Sequence, residues 1–108
     1  MSDVRLQWWP PMTGAEISER IGEIAAAAHV INVHFPDSRR AKGVGWPDHF
    51  LMGTRGILYR EVKGRADQLS GVQRAFGYAL QANQQDWKVW TEHDLATGQI
   101  EREIEAIA

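Results

Sequence analysis

Three stretches of the chain repeat apolar residues every three or four positions, which is the spacing of one face of a helix. The first stretch follows Thr13, and Glu16 three residues later completes the pattern of a capping box. The second follows Ser70, with Gln73 in the equivalent position and an expected end near Ala82. The sequence therefore predicts three amphipathic helices, the last of them C-terminal. Their apolar faces are Ile17, Ile21, Ile24, Ala25 and Ala28 in the first, Val72, Phe76, Ala79 and Leu80 in the second, and Ile100, Ile104 and Ile107 in the third.

Four short runs rich in β-branched and aromatic residues predict strands. The runs span residues 29–34, 47–52, 57–63 and 87–90. Residues 53–56, which separate the middle two runs, contain two glycines and are typical of a hairpin loop. Thr91 follows the last strand and can cap a short turn through Leu95. The predicted order of elements is therefore α-β-β-β-α-β-α, an α/β fold in one domain.

The predicted hairpin places three charged side chains on one face of the sheet. If Met52 and Ile57 close the loop, Asp48 lies opposite Glu61, and strand alternation puts Lys63 on the same face. Carboxylates at cross-strand positions repel, because their Cβ atoms are only about 4.5–5.5 Å apart. A divalent cation between them would remove that repulsion. The alternative is surface charge, with Lys63 as a simple salt-bridge partner, and a one-residue slip in register would separate the two acids.

The composition is that of a soluble globular domain and excludes several classes of function. The chain has no cysteine, which excludes disulfides, thiolate nucleophiles and cysteine-ligated zinc, and suits the cytosol. No apolar run approaches the roughly 20 residues of a membrane span, and the N-terminal residues lack a signal-peptide pattern. Histidine spacing fits no zinc motif, and P-loop, dinucleotide and serine-elbow patterns are missing. We expect a cytoplasmic protein that does not enter membranes.

Positive charge is concentrated in one part of the chain, although the formal net charge is −2. Seven basic residues stand between positions 39 and 65 against only two acids, whereas residues 92–105 carry five acids and one arginine. A basic region of this kind favours a polyanionic partner, and solvated loop charge is the alternative. The basic residues are Arg39, Arg40, Lys42, Arg55, Arg60, Lys63 and Arg65.

Two short motifs resemble those of the PD-(D/E)XK nuclease superfamily. They are Gly45-Trp46-Pro47-Asp48 and, about a dozen residues later, Arg60-Glu61-Val62-Lys63. The predicted order of elements also fits the α-β-β-β-α-β core of that superfamily. More narrowly, the chain resembles the compact stand-alone form of the VRR-NUC family found in phages and bacteria. The supporting strings are TGAE at 13–16, HFPDSRR at 34–40, QLSGVQ at 68–73 and WKVW at 87–90.

The resemblance implies a restriction-endonuclease-like fold, with a mixed sheet flanked by helices and a C-terminal helix. Residues 13–108 would form the nuclease domain behind an extended arm at residues 1–12. The implied activity is metal-dependent hydrolysis of DNA phosphodiester bonds, and stand-alone members resemble homodimeric resolvases of four-way (Holliday) junctions. The chain departs from the family pattern at His49, where an apolar residue is usual, and in its Trp-Trp-Pro-Pro arm. We expect His49 to point away from the acids.

The resemblance also implies which groups would hold the metal. Asp48 and Glu61 would bind Mg²⁺, with Mn²⁺ able to substitute, and the backbone carbonyl of Val62 would be a further ligand. Hard carboxylate oxygens suit that ion. Glu16 would hold a second metal or a metal-bound water, although its role in a capping box is an alternative. The remaining acids of that helix, which could take its place, are Glu19 and Glu23.

Other residues would act on the reaction or on the nucleic acid. Lys63 would orient the attacking water and stabilise charge on the phosphate. Gln73 would contact the metal-bound water or a phosphate, with helix capping as the equal alternative. His34 is expected to be structural, with a role toward substrate left open. The expected phosphate contacts, which give affinity without sequence reading, are Ser38, Arg39, Arg40, Lys42 and Arg65.

The tryptophans admit more than one role, in a protein interface, in the core or in stacking on bases. Trp8 and Trp9 have no amphipathic element to bury them, which favours a dimer interface over stacking on bases. Trp46 could pack or stack on a base, and one of Trp87 and Trp90 is expected in the core. A nuclease for flaps, nicks or other branched DNA, a non-catalytic DNA-binding module and a protein-interaction domain remain alternatives to the junction resolvase.

Overall fold

The computed structural model describes residues 11–35 and 45–108, and their elements follow the predicted order. The turn after Thr91 forms a short helix of its own, so that two helices follow the last strand. Neither of them, nor any other helix in the described ranges, is both long and apolar enough to cross a membrane. The elements are α1 (Gly14–Ala27), β1 (Ile31–His34), β2 (His49–Met52), β3 (Ile57–Lys63), α2 (Gly71–Ala82), β4 (Asp86–Thr91), α3 (Glu92–Ala96) and α4 (Gln99–Ile107).

The four strands form one mixed sheet in the order β1-β2-β3-β4. Strand β2 is antiparallel to both β1 and β3, and β4 runs parallel to β3. The predicted hairpin register is confirmed, since Met52 pairs with Ile57 and Phe50 pairs with Tyr59. This register fixes which side chains of β2 and β3 share a face.

Reciprocal capping boxes begin three of the helices, as the sequence predicted for α1 and α2. The hydroxyl of Thr13 accepts a hydrogen bond from the backbone N–H of Glu16, and Glu16 Oε1 accepts one from the N–H of Thr13. Ser70 and Gln73 make the same pair of contacts at α2. Thr91 caps α3, confirming the predicted turn. Each box satisfies N–H groups that have no partner inside the helix.

The main core lies between one face of the sheet and helices α1 and α4. The predicted apolar faces of those two helices supply most of it, and Trp90 of β4 joins them. The full set of its buried residues is Ile17, Ile21, Ala25, Val30, Leu51, Leu58, Val62, Trp90, Ile100, Ile104 and Ile107.

The predicted buried face of α2 is wrong in part. Val72 is 47% exposed and Ala79 is exposed, whereas Gln73 and Gly77 are the buried residues of this helix. The cause is a close approach to the sheet: a Cβ atom at Gly77 would lie 2.5 Å from the ring of Trp87. Because Gly77 has no side chain, the indole of Trp87 can pack against the helix backbone. The face of α2 that contacts the sheet is therefore centred on Gly77. Both Trp87 and Trp90 are therefore buried, on opposite faces of β4.

Arg60 is also buried, although it stands in the basic region of the sequence. Its guanidinium contacts Glu103 of α4 at 2.8 Å and Asp86 at 3.0 Å, and it lies 5.0 Å from the ring centre of Trp90. Burial alone would raise the pKa of Glu103, but hydrogen bonds from Gln99, Arg60 and Lys88 lower it from 4.5 to about 2. This arginine is an internal ion-pair partner and is not available to a polyanion.

Stability is expected to fall as the pH drops toward the lowered pKa of Glu103. The folded-state pKa lies below the unfolded value, so the stabilisation is complete above about pH 5 and disappears as the pH approaches 2. A shift of this size corresponds to about 3 kcal/mol in the free energy of unfolding. Urea unfolding of the wild type and of Glu103→Gln at several pH values measures it. The two curves should converge at low pH, and a constant difference between them would contradict the assignment.

Candidate functional site

The three charged residues predicted to meet lie on the sheet face opposite the main core. Asp48 immediately precedes β2, and its carbonyl accepts a hydrogen bond from the N–H of Phe35 at 2.8 Å. Its Oδ2 reaches across to β3 and accepts a hydrogen bond from the N–H of Val62 at 2.8 Å. Asp48 is therefore held by the residue that follows β1 and by β3, with its carboxylate next to Glu61.

Glu61 is the most unusual group in the described chain. It is only 1% exposed, and neither of its carboxylate oxygens has a hydrogen-bond donor among the described residues. Burial raises its pKa to about 9, and the proton it could share with Asp48 and the charge of Asp48 act in the same direction. A buried acid without a donor is costly unless a proton or a cation satisfies it. The two adjacent carboxylates supply the hard oxygen ligands that Mg²⁺ prefers, so these residues fit that ion.

Lys63 completes the group that the structure brings together. It alternates with Glu61 on β3, and its positive charge partly offsets the rise in the pKa of Glu61. Val62, between them, buries its side chain in the main core while its N–H holds Asp48. The expected roles of Lys63 as a charge-stabilising group and of the Val62 carbonyl as a ligand remain predictions.

Glu16 and Gln73 both make helix-capping contacts, which the sequence left open as the alternative to a role in the site. Glu16 is exposed and caps α1, and Gln73 is buried and caps α2. Within residues 11–35 and 45–108, no three His, Asp or Glu side chains are grouped closely enough to hold a metal ion. Asp48 and Glu61 therefore form a pair, and a catalytic role for either capping residue remains a prediction. Of the remaining acids of α1, Glu23 pairs with Arg20 at 3.3 Å, and Glu19 is exposed.

Most residues predicted to bind DNA lie outside the described part of the chain, as do the tryptophans of the arm. Those residues are Ser38, Arg39, Arg40, Lys42, Trp8 and Trp9. Arg65 is described, and its Nη2 contacts Oε2 of Glu92 at 2.9 Å. A phosphate contact by Arg65 would have to compete with that buried carboxylate.

His49 points to the other face of the sheet, away from the acids, as predicted. Its ring is fully buried, with Nδ1 2.8 Å from Oδ1 of Asn32 and Nε2 2.9 Å from the hydroxyl of Ser18. The ring of His34 stacks on it at 4.3 Å. Burial lowers the pKa of His49 to about 4, and nearby His34 adds to this while Asp48 opposes it. A neutral His49 thus ties the start of β2 to α1 and β1, which sequence spacing could not reveal.

Trp46 and Gly45 hold the chain that leads to Asp48 against α2. Trp46 packs edge-on to Phe35, Tyr59 and Phe76, with ring centres 5.8–6.3 Å apart. Gly45 has a φ of +99°, and a Cβ atom there would lie 2.9 Å from the carbonyl oxygen of Val72. Only glycine suits both the left-handed backbone and this close approach. The Trp46 ring therefore packs, which was one of its two predicted roles.

Comparisons with protein-family models, with curated proteins and with solved structures gave no match to this chain. The resemblance to VRR-NUC nucleases therefore rests on the motifs in the sequence.

Proposed function

We propose that this protein is a Mg²⁺-dependent endonuclease that hydrolyses DNA phosphodiester bonds. The observation that carries the proposal is the carboxylate of Glu61, which is buried beside Asp48 and has no donor for either oxygen among the described residues. A protein that needed only a stable fold would lose nothing by replacing that acid with an apolar residue. Binding a cation would give these two adjacent carboxylates a function.

Each residue of the site would have a separate task. Asp48 and Glu61 would hold Mg²⁺, which polarises the phosphate and lowers the pKa of a bound water when present. The N–H of Val62 fixes the orientation of Asp48 before any ligand arrives. Lys63 would stabilise the negative charge that develops on the phosphate, for which a compact ammonium is suited.

The topology is compatible with the nuclease fold that the motifs imply. The elements run α-β-β-β-α-β, the central hairpin is antiparallel and β4 is parallel to β3. We propose a restriction-endonuclease-like core of the VRR-NUC type within residues 13–108. The proposed substrate is branched DNA, in particular a four-way junction, and the proposed assembly is a homodimer. Two sites related by a twofold axis would suit paired cuts in such a substrate.

A cleavage assay tests the function. Labelled four-way junctions and linear duplexes of matched sequence are incubated with Mg²⁺, with Mn²⁺ or with EDTA. We expect nicking that is selective for junctions and that EDTA abolishes. Asp48→Asn and Glu61→Gln should both lose it, because each change replaces a charged carboxylate ligand by a neutral amide. Glu105→Gln, which neutralises an exposed acid on α4, is the matched control and should retain full activity.

Three results would count against the proposal. Cleavage that persists in EDTA, or in Asp48→Asn, would show that these carboxylates do not hold the essential metal. DNA binding with no cleavage of junctions, flaps or nicked duplex would favour a non-catalytic module.

A further inference from the structure

A second buried carboxylate, Glu92, connects segments that are distant in the sequence. Glu92 is the first residue of α3 and is only 5% exposed. Its Oε1 accepts a hydrogen bond from the backbone N–H of Met12 at 2.6 Å, and its Oε2 contacts the guanidinium of Arg65 at 2.9 Å. The contact with Arg65 involves a guanidinium that is always charged, which makes it stronger than a hydrogen bond between neutral groups.

The segments that Glu92 joins converge next to Lys63. In the parallel ladder of β3 and β4, Lys63 pairs with Thr91, the residue before Glu92. Arg65 stands two residues after Lys63, within the turn that follows β3. That turn is closed by a hydrogen bond from the N–H of Gly64 to Oδ2 of Asp67 at 3.0 Å. Glu92 therefore holds the turn on which the end of β3 depends.

The chain that leads into α1 is part of the same arrangement. A methyl group added at Gly64 would lie 3.6 Å from the carbonyl oxygen of Met12, so this segment packs directly on the turn. Glu92 contacts both sides of that packing, through Met12 on one side and Arg65 on the other. A movement of Glu92 would loosen the turn and the start of α1 together.

The fold alone does not require a buried acid at this position. Helix α3 is already capped by Thr91, and Asp94 completes that capping box. Taking a carboxylate out of water is expensive, and its ion pair offsets the cost only when the geometry is good. The position of Glu92 is explained better by the segments it restrains than by any gain for α3.

We propose that Glu92 is a positioning residue for the nuclease site: through Arg65 and Met12 it fixes the turn after β3 and so holds Lys63 beside Asp48 and Glu61. This inference rests on the proposed function for its catalytic consequence. It also assigns Arg65 to the support of the site instead of to DNA.

Glu92→Gln provides the kinetic test, because it keeps the size of the side chain and an acceptor for Met12 but loses the charge that holds Arg65. We expect kcat to fall about 10- to 100-fold while KM stays within about threefold, since a small displacement of a reacting group costs that much. Asp94→Ala is the control, because it removes the half of the α3 capping box that the carboxylate supplies, and among the described residues that carboxylate bonds to Thr91 and not to Arg65 or Met12. Arg65→Met should reproduce the loss, and the double variant should be no slower than either single one.

Amide hydrogen exchange at residues 63–67 provides a readout that does not depend on catalysis. We expect exchange there to accelerate in Glu92→Gln and in Arg65→Met but not in Asp94→Ala. If the wild type cleaves no DNA, the proposed function fails, and exchange alone then decides whether Glu92 restrains the turn. Unchanged exchange, or an equal loss of kcat in Asp94→Ala, would overturn the proposal. If Glu92→Gln does not fold, Arg65→Met, at a more exposed position, carries both measurements.

Discussion

Replacing Lys63 by alanine is expected to slow Mg²⁺-dependent cleavage by about 100- to 1,000-fold, the usual cost of losing one preorganised charge-stabilising group. Lys63 lies on the same face as Glu61, but its side chain has no oxygen with which to bind a cation. The variant should therefore still bind divalent metal. Single-turnover cleavage measures the first effect, and the rise in melting temperature on adding Mn²⁺ measures the second.

Lys88→Ala is the matched control for this experiment. It also removes one ammonium from a strand, but that group lies on the opposite face of the sheet and contacts Glu103 at 3.1 Å. Its cleavage rate should equal that of the wild type. Full activity in Lys63→Ala would show that another group stabilises the phosphate. Loss of the Mn²⁺ effect in Lys63→Ala would show that Lys63 acts by holding the carboxylates in place. Asp48→Asn, in contrast, should lose both cleavage and the Mn²⁺ effect.

The face shared by Asp48 and Glu61 could be predicted because it depends on local rules. Two glycines set the loop between β2 and β3, and side chains alternate along each strand, so the register follows once Met52 and Ile57 close the turn. The same rules place His49 on the opposite face. The capping boxes of α1 and α2 were predictable for a similar reason, since all their contacts lie within one turn.

The packing of α2 could not be predicted from periodicity. Apolar spacing favoured a face containing Val72 and Ala79, but the helix instead packs through Gly77 against Trp87. A glycine contributes nothing to an apolar pattern. Gly77 matters here because it leaves room for the ring of Trp87, which is ten residues away in the sequence. Close contacts of this kind depend on tertiary structure, which overrides a pattern read along one helix.

Long-range polar partners were also hidden in the sequence. Glu92 bonds to the N–H of Met12, 80 residues away, and Arg60 finds Glu103, 43 residues away. Counting charges along the chain therefore overestimated the basic surface, because Arg60 is internal. A sequence reports which residues carry charge, but pairing between distant elements decides which of them face solvent.

Arg60→Ala is expected to lower the free energy of unfolding by about 3–5 kcal/mol, because it leaves a buried carboxylate without its main partner. The guanidinium is almost completely buried and contacts Glu103, Asp86 and the ring of Trp90. Truncation removes the charge and the packing together. For a domain of this size, that loss is a large fraction of the total stability. Urea unfolding at neutral pH, compared with Lys88→Ala as the control for an exposed ion pair, measures the effect.

The double variant Arg60→Met with Glu103→Met distinguishes the stabilisation by the ion pair from the cost of leaving one buried charge without its partner. If the destabilisation comes from the orphaned charge, replacing both groups by apolar side chains should recover most of the loss, because neither ion then has to be desolvated. The remaining deficit should be small and should come from the other groups that donate to Glu103, which are Trp90, Gln99 and Lys88. A double variant as unstable as Arg60→Ala would show that the ion pair itself stabilises the fold. Recovery would show that a buried carboxylate left without its partner destabilises this fold, a cost that Glu61 avoids only if a proton or a cation satisfies the acid.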